Sequence, residues 1–278
     1  MRKNAIFGQC KKVYNRLFSI ILTIILLITN SLLVSAGIDK ENYLLQKGLP
    51  SSIVSILPTS EIDKLYTILQ NAEIEITSQI VYGQLEDNAN CRYYTNRGTI
   101  NDNNLEITIS SLLQKTDGYI TKVINLIGWT WLNGHPAARQ EDVIHIMWDS
   151  SILTYADSYS AFDFHQPHFS NDIVAYNETN HPAQLKSNEL ALYTDVYSGL
   201  AATRGGFCTF VHLPAHPIKV GTGYSTSIVL TYYHDKSMLP FGNSLSISSS
   251  STGISISFNN LLTDTLGASG LIHYGGNG

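Results

Sequence analysis

Leu105-Glu106-Ile107-Thr108-Ile109 alternates apolar and polar side chains at every step, and Glu73-Ile74-Glu75-Ile76-Thr77 does the same. A period of two is what a strand with one buried face requires, because successive side chains point to opposite faces. Asp87 to Asn90 and Asn101 to Asn104 supply the turns between such runs. Further β-rich runs follow at Tyr119 to Leu132, Val143 to Asp149, Leu153 to Phe164, Leu190 to Tyr197, Gly206 to Leu213 and Ser225 to Tyr233. Two last short runs, Ser244 to Ser248 and Gly253 to Phe258, alternate serine with leucine, isoleucine and phenylalanine. Many short strands with no helical period between them predict a mainly β chain, an antiparallel β-sandwich or jelly-roll. Gln166 to Asn188 shows neither period and carries Pro167 and Pro182, so a long loop is expected there.

Ahead of the strands the texture is helical. Asp39 is a candidate N-cap, Tyr43, Leu44 and Leu45 give an apolar side, and Gly48 stops the turn before Pro50. A second turn is expected over Ser51 to Leu57. Pro58-Thr59-Ser60 then starts a third helix whose Ile62, Leu65, Tyr66 and Leu69 share one face. The Gly48-Leu49-Pro50 turn, followed some ten residues on by Thr59-Ser60 and the Ile62 to Tyr66 helix, resembles a segment that follows the signal peptide in secreted proteins of Gram-positive bacteria. The resemblance implies a location and carries no activity or catalytic residue. The domain reading is therefore 1–36 as signal peptide, 37–72 as helical N-terminal segment and 73–278 as β-sandwich.

The signal-peptide reading rests on charge and hydropathy. Arg2, Lys3, Lys11, Lys12 and Arg16 precede an almost wholly apolar run from Leu17 to Val34, which ends at Val34-Ser35-Ala36. Small residues at −3 and −1 place cleavage after Ala36. The run over 17–34 is also long enough to span a bilayer, so an uncleaved membrane anchor is the competing reading. Cleavage would remove five of the 17 basic residues and none of the 22 acids, taking the net charge from −5 to −10. No cluster of Lys and Arg then remains to hold phosphates, which argues against a nucleic-acid partner.

Cys10 would leave with the signal peptide, so Cys91 and Cys208 are the remaining thiols; outside the cell they could form one disulfide or stay as buried free thiols. Nothing near Cys208 supplies the positive surroundings of a catalytic thiolate. Of nine histidines, His165, His168, His212 and His216 cluster as metal-ligand candidates. Pro214 and Pro217 break the helix that would bring His212 and His216 to one face. No cofactor motif is present. A Gly-x-Ser-x-Gly elbow is also absent, Gly223-Tyr224-Ser225-Thr226-Ser227 coming nearest. Trp129 and Trp131 share a strand face and Trp148 lies on the next run; exposed, they would form a stacking platform for a flat ligand, and buried they are core.

The serine-rich hairpin invites a pore-forming reading, but its arms fall short of the roughly 9–11 residues a spanning strand needs. What remains is a secreted or cell-surface binding module for an unknown extracellular ligand or surface. A secreted hydrolase built on the His-rich loops and a membrane-acting pore former are its rivals.

Overall fold

A computed structural model describes residues 40–82, 105–132, 141–167, 172–179, 181–195, 201–223, 225–235, 245–258 and 263–273. The turns expected at Asp87–Asn90 and Asn101–Asn104 lie outside them, as do Asp39 and the whole of 1–36. Residues 40–46 are helical (α1). From Leu44 to Gly278 the chain forms one compact unit. Gly48, at φ +100, ends α1 by letting Leu49 N–H return to Leu44 O at 3.2 Å. Two helices follow, α2 (Ser51–Val54) and α3 (Thr59–Asn71). Ile62, Leu65 and Leu69 of α3 are buried on the face their spacing predicts. Its first turn is preceded by Pro58 and gains no side-chain cap, so the polar residues Thr59 and Ser60 lie inside the helix.

Among the described residues fourteen strands follow in chain order. The larger sheet runs β1 (Glu73–Tyr82), β2 (Leu105–Thr116), β3 (Tyr119–Trp131), β9 (Ala201–Pro214), β5 (Leu153–Pro167) and β6 (Ala175–Thr179), with β10 (Ile218–Lys219) joining the start of β3. The smaller sheet runs β14 (Thr263–His273), β11 (Ser225–Asp235), β4 (Glu141–Trp148), β8 (Glu189–Asp195) and β7 (Gln184–Leu185). All the pairings are antiparallel. The architecture is an antiparallel β-sandwich with short N-terminal helices. The two-residue loop Asp117-Gly118, at φ 51 and 77, sets the β2–β3 register by pairing Thr116 with Tyr119.

Between the sheets lie Ile107, Ile109, Leu113, Val123 and Ile127 from one side and Ile144, Ile146, Leu190, Ile228 and Leu230 from the other. The larger sheet is covered on its outer face as well. Ile53 and Ile56 of the helical layer reach Gly128, where an added Cβ would stand 3.1 Å from Ile56 Cδ1, and Ser52 Oγ meets Thr108 Oγ1 at 2.9 Å. This double cover corrects the expectation of a half-buried β2: Thr108 is as buried as Ile107 because α2 lies over it. The long loop expected over Gln166 to Asn188 is corrected too, since it contains β6 and β7. Both are sheet edges whose side chains are mostly exposed, so no side-chain period results.

β12 (Leu245–Ser250) and β13 (Gly253–Phe258) form a separate two-stranded hairpin. It lies on the outer face of the smaller sheet, where Phe258 meets Tyr233 with ring centroids 5.4 Å apart. The apolar side of the hairpin thus packs on the back of that sheet and not into the core between the two sheets.

Candidate functional site

Asp142, Ile144, Ile146 and Trp148 share the inward phase of β4, and Ile228, Leu230, Tyr232 and His234 share that of β11. The register Tyr233↔Val143 brings the polar ends of both series together. Asp142 is fully buried there. It accepts hydrogen bonds from Tyr232 Oη at 2.7 Å, His234 Nδ1 at 3.0 Å and the Asp235 backbone N–H at 2.9 Å. Burial pushes its carboxyl above the ordinary range, while the His234 contact, Tyr232 and the Asp235 amide pull the other way. The Tyr232 hydroxyl is held well above its usual value, first by burial and then by Asp142. Trp131 closes the cluster, its ring edge-on to His234 at 5.0 Å and to Tyr232 at 5.9 Å.

This network assigns the imidazole orientation. With Nδ1–H given to the carboxylate, Nε2 faces away from Asp142 and has no hydrogen-bond partner among the described residues. A carboxylate-oriented histidine of this kind can accept a proton or a donor hydrogen bond at Nε2. Beside Asp142, the register places Thr194 of β8, whose Oγ1 donates to Asp163 Oδ1 at 2.5 Å and accepts from Trp129 Nε1 at 3.3 Å. One continuous polar end therefore spans β11, β4, β8 and β5. At this same end Glu141 and Asp195 are backbone register partners across β4 and β8, as are His234 and Asp264 across β11 and β14.

The sequence-predicted candidates fall elsewhere or play other parts. Trp129, Trp131 and Trp148 are 1%, 5% and 5% exposed and belong to the core, so their faces are not open for stacking a flat ligand. The reason is local. Gly205 and Gly206 of β9 leave the space that Trp129 fills, an added Cβ at Gly206 falling 2.3 Å from Trp129 Cζ2.

Of the four histidines named as metal ligands, the described ones, His165, His212 and His216, are not gathered into a metal site. His165 takes a hydrogen bond from Asn177 Nδ2 at Nε2, 2.8 Å, and His216 is exposed after β9. His212 is buried between the sheets, 4.5 Å from the Trp148 ring and 5.3 Å from Phe210. His168 lies outside the described residues. Among those residues no three His, Cys, Asp or Glu side chains come together to hold a metal.

Cys208 is fully buried on β9, and burial drives its thiol well above the usual value, which suits a packing residue. Cys91, its expected disulfide partner, lies outside the described residues. The hairpin arms β12 and β13 are six residues each. The missed residues Asp142, Tyr232 and His234 left one signal in the sequence: polar groups continuing the apolar phase of a strand. That phase is readable only when the strand's inner face is known.

No protein family's sequence profile matches the chain, and no curated protein matches it. Solved structures overlap with it, three of them as follows. One, described as "pH-induced modulation of Streptococcus parasanguinis adhesion by Fap1 fimbriae", is 10% identical over 74% of this chain and 96% of its own, with a TM-score of 0.33. Another, described as "AvmM Catalyzes Macrocyclization in Alchivemycin A Biosynthesis", is 12% identical over 60% of this chain and 93% of its own, with a TM-score of 0.26. The N-terminal domain of the Streptococcus gordonii adhesin Sgo0707 is 8% identical over 74% of each chain, with a TM-score of 0.16. At these scores the likeness says nothing about what this chain does. No described helix is long and apolar enough to cross a membrane.

Proposed function

We propose that the chain is an extracellular or cell-surface binding module that takes a polar ligand at the Asp142–His234 end of the sandwich. The observation that carries this is the unpartnered Nε2 of His234, held in place from behind by Asp142 at 3.0 Å. Sandwiches present their connecting segments at the ends of the strands, where binding groups can vary without disturbing the core. An imidazole whose Nδ1–H is held by a carboxylate offers Nε2 as an acceptor, which suits a ligand bearing hydroxyl or amino donors. The same dyad gives the secreted-hydrolase reading its only structural support, since an oriented imidazole can take a proton from water.

The test offers the full exported chain to a printed panel of oligosaccharides and extracellular proteins. A bound probe whose affinity drops at least about tenfold in H234Q, with the melting curve unchanged and with Y119A at the far end harmless, supports the reading. Binding that is indifferent to H234Q overturns the site. Cleavage products from a probe, lost in H234Q, would make the chain a hydrolase instead.

A further inference from the structure

On the face of β4 opposite Asp142, His145 Nε2 meets Glu189 Oε2 of β8 at 2.8 Å, and both side chains are buried. The second oxygen of Glu189 accepts the Ile254 backbone N–H of the β12–β13 hairpin at 2.7 Å. Four residues along β8, Tyr193 Oη accepts the Ile247 N–H at 3.2 Å. Each arm of the hairpin is thus pinned through one backbone amide to one side chain of the smaller sheet. Gly253 fits this seat because it has no side chain: its φ is +153, and a Cβ would stand 2.6 Å from Glu189 Oε1.

We infer that the β12–β13 hairpin is a detachable strap, clasped by Glu189 and Tyr193, that opens as a unit while both large sheets stay folded. Among the described residues it shares no strand ladder with either sheet. A lone two-stranded hairpin of this length is marginal in water, so its order depends on what it rests against. That support is small: Leu245 and Ile254 are its only buried apolar side chains, and Phe258 is 41% exposed. The outward positions Ser246, Ser248, Ser255 and Ser257 are exposed and lose nothing on opening. No residue from Leu245 to Phe258 is charged, so the titratable groups at the joint all come from the sheet side: His145, Glu189, Tyr193, Tyr233 and, on the adjoining link, Lys186. Opening uncovers Val143 and Ala191 together with the hydrogen-bonded His145–Glu189 pair, a mixed apolar and polar face on the two central strands. Segments with few buried contacts open at a free energy well below that of global unfolding.

Native-state hydrogen exchange read by mass spectrometry on the full chain tests this, comparing 245–258 with 141–148 and 225–235. The hairpin amides are expected to exchange at least about tenfold faster than those of β4 and β11. Y193F, which removes one acceptor, and G253A, which crowds Glu189 from the hairpin side, should each raise the hairpin rate by a further factor of about ten and leave β4 and β11 unchanged. Exchange of the hairpin in step with β4 and β11 overturns the strap. Variants that leave the hairpin rate unchanged, or that accelerate all three segments equally, overturn the clasp.

Discussion

Burial pulls the pKa of His212 down to about 4 from the ordinary 6.5. Asn125 Nδ2 donates to its Nδ1 at 2.9 Å, Ser111 Oγ orients that amide at 2.8 Å, and the Nε2 side is buried with no partner. The ring is therefore neutral in the fold at pH 7. Between pH 6.5 and about 4 the unfolded chain binds a proton that the folded chain refuses, so this contribution is fully present above pH 6.5 and is lost as pH falls through the window. The raised carboxyl of Asp142 acts with the opposite sign, favouring the fold at low pH and losing that effect as pH rises through its folded value. Comparison with H212F isolates the histidine. Urea unfolding should show the native chain losing about 2 kcal/mol more than H212F between pH 7.5 and pH 5. Parallel profiles would mean that His212 is hydrated in the folded state. His212 stood out in the sequence as one of a cluster of histidines and so as a ligand candidate, although Pro214 and Pro217 argued against a shared face with His216. Only the inward phase of β9 shows it to be a core residue.

Two glycines show how an element's neighbours set its tolerance. At Gly206 an added methyl meets Trp129 Cζ2 at 2.3 Å and Phe162 O at 2.7 Å, both fixed by β-sheet packing. At Gly128 it meets Ile56 Cδ1 at 3.1 Å, the far end of a flexible side chain. G206A should cost more than about 3 kcal/mol or prevent soluble expression, whereas G128A should cost under about 1 kcal/mol, with thermal melting as the measurement. Equal costs would show that Trp129 has room to move. β14 illustrates the limit of reading from pattern. Thr263 to His273 contains Gly267, Ala268 and Gly270, residues of low strand propensity that give no alternation. At Gly270 the small residue answers a close approach of β14 to β2, since a Cβ there would stand 2.6 Å from Ile109 Cγ2. By contrast β1, β2, β3, β4, β5, β8, β9, β11, β12 and β13 were legible as β-rich runs.

For the whole molecule, export remains an expectation drawn from residues 2–36, and the intact mass of the secreted protein measures it. A mature chain starting at Gly37 is the expected result, and a mass that includes 1–36 would indicate an anchored form. The native mass against the reduced and alkylated mass also counts any Cys91–Cys208 bond, which would lower the native mass by about two hydrogens. The sequence by itself determined that the chain is mainly β with helices ahead of the strands, because side-chain period and turn residues are local properties. It also determined which residues were available for chemistry. Only the tertiary structure decided that β2 is buried on both faces, that the tryptophans lie in the core, and that Asp142, Tyr232 and His234 meet. Those outcomes depend on which strands pair and in what register, and pairing joins residues about 90 positions apart that no local pattern relates.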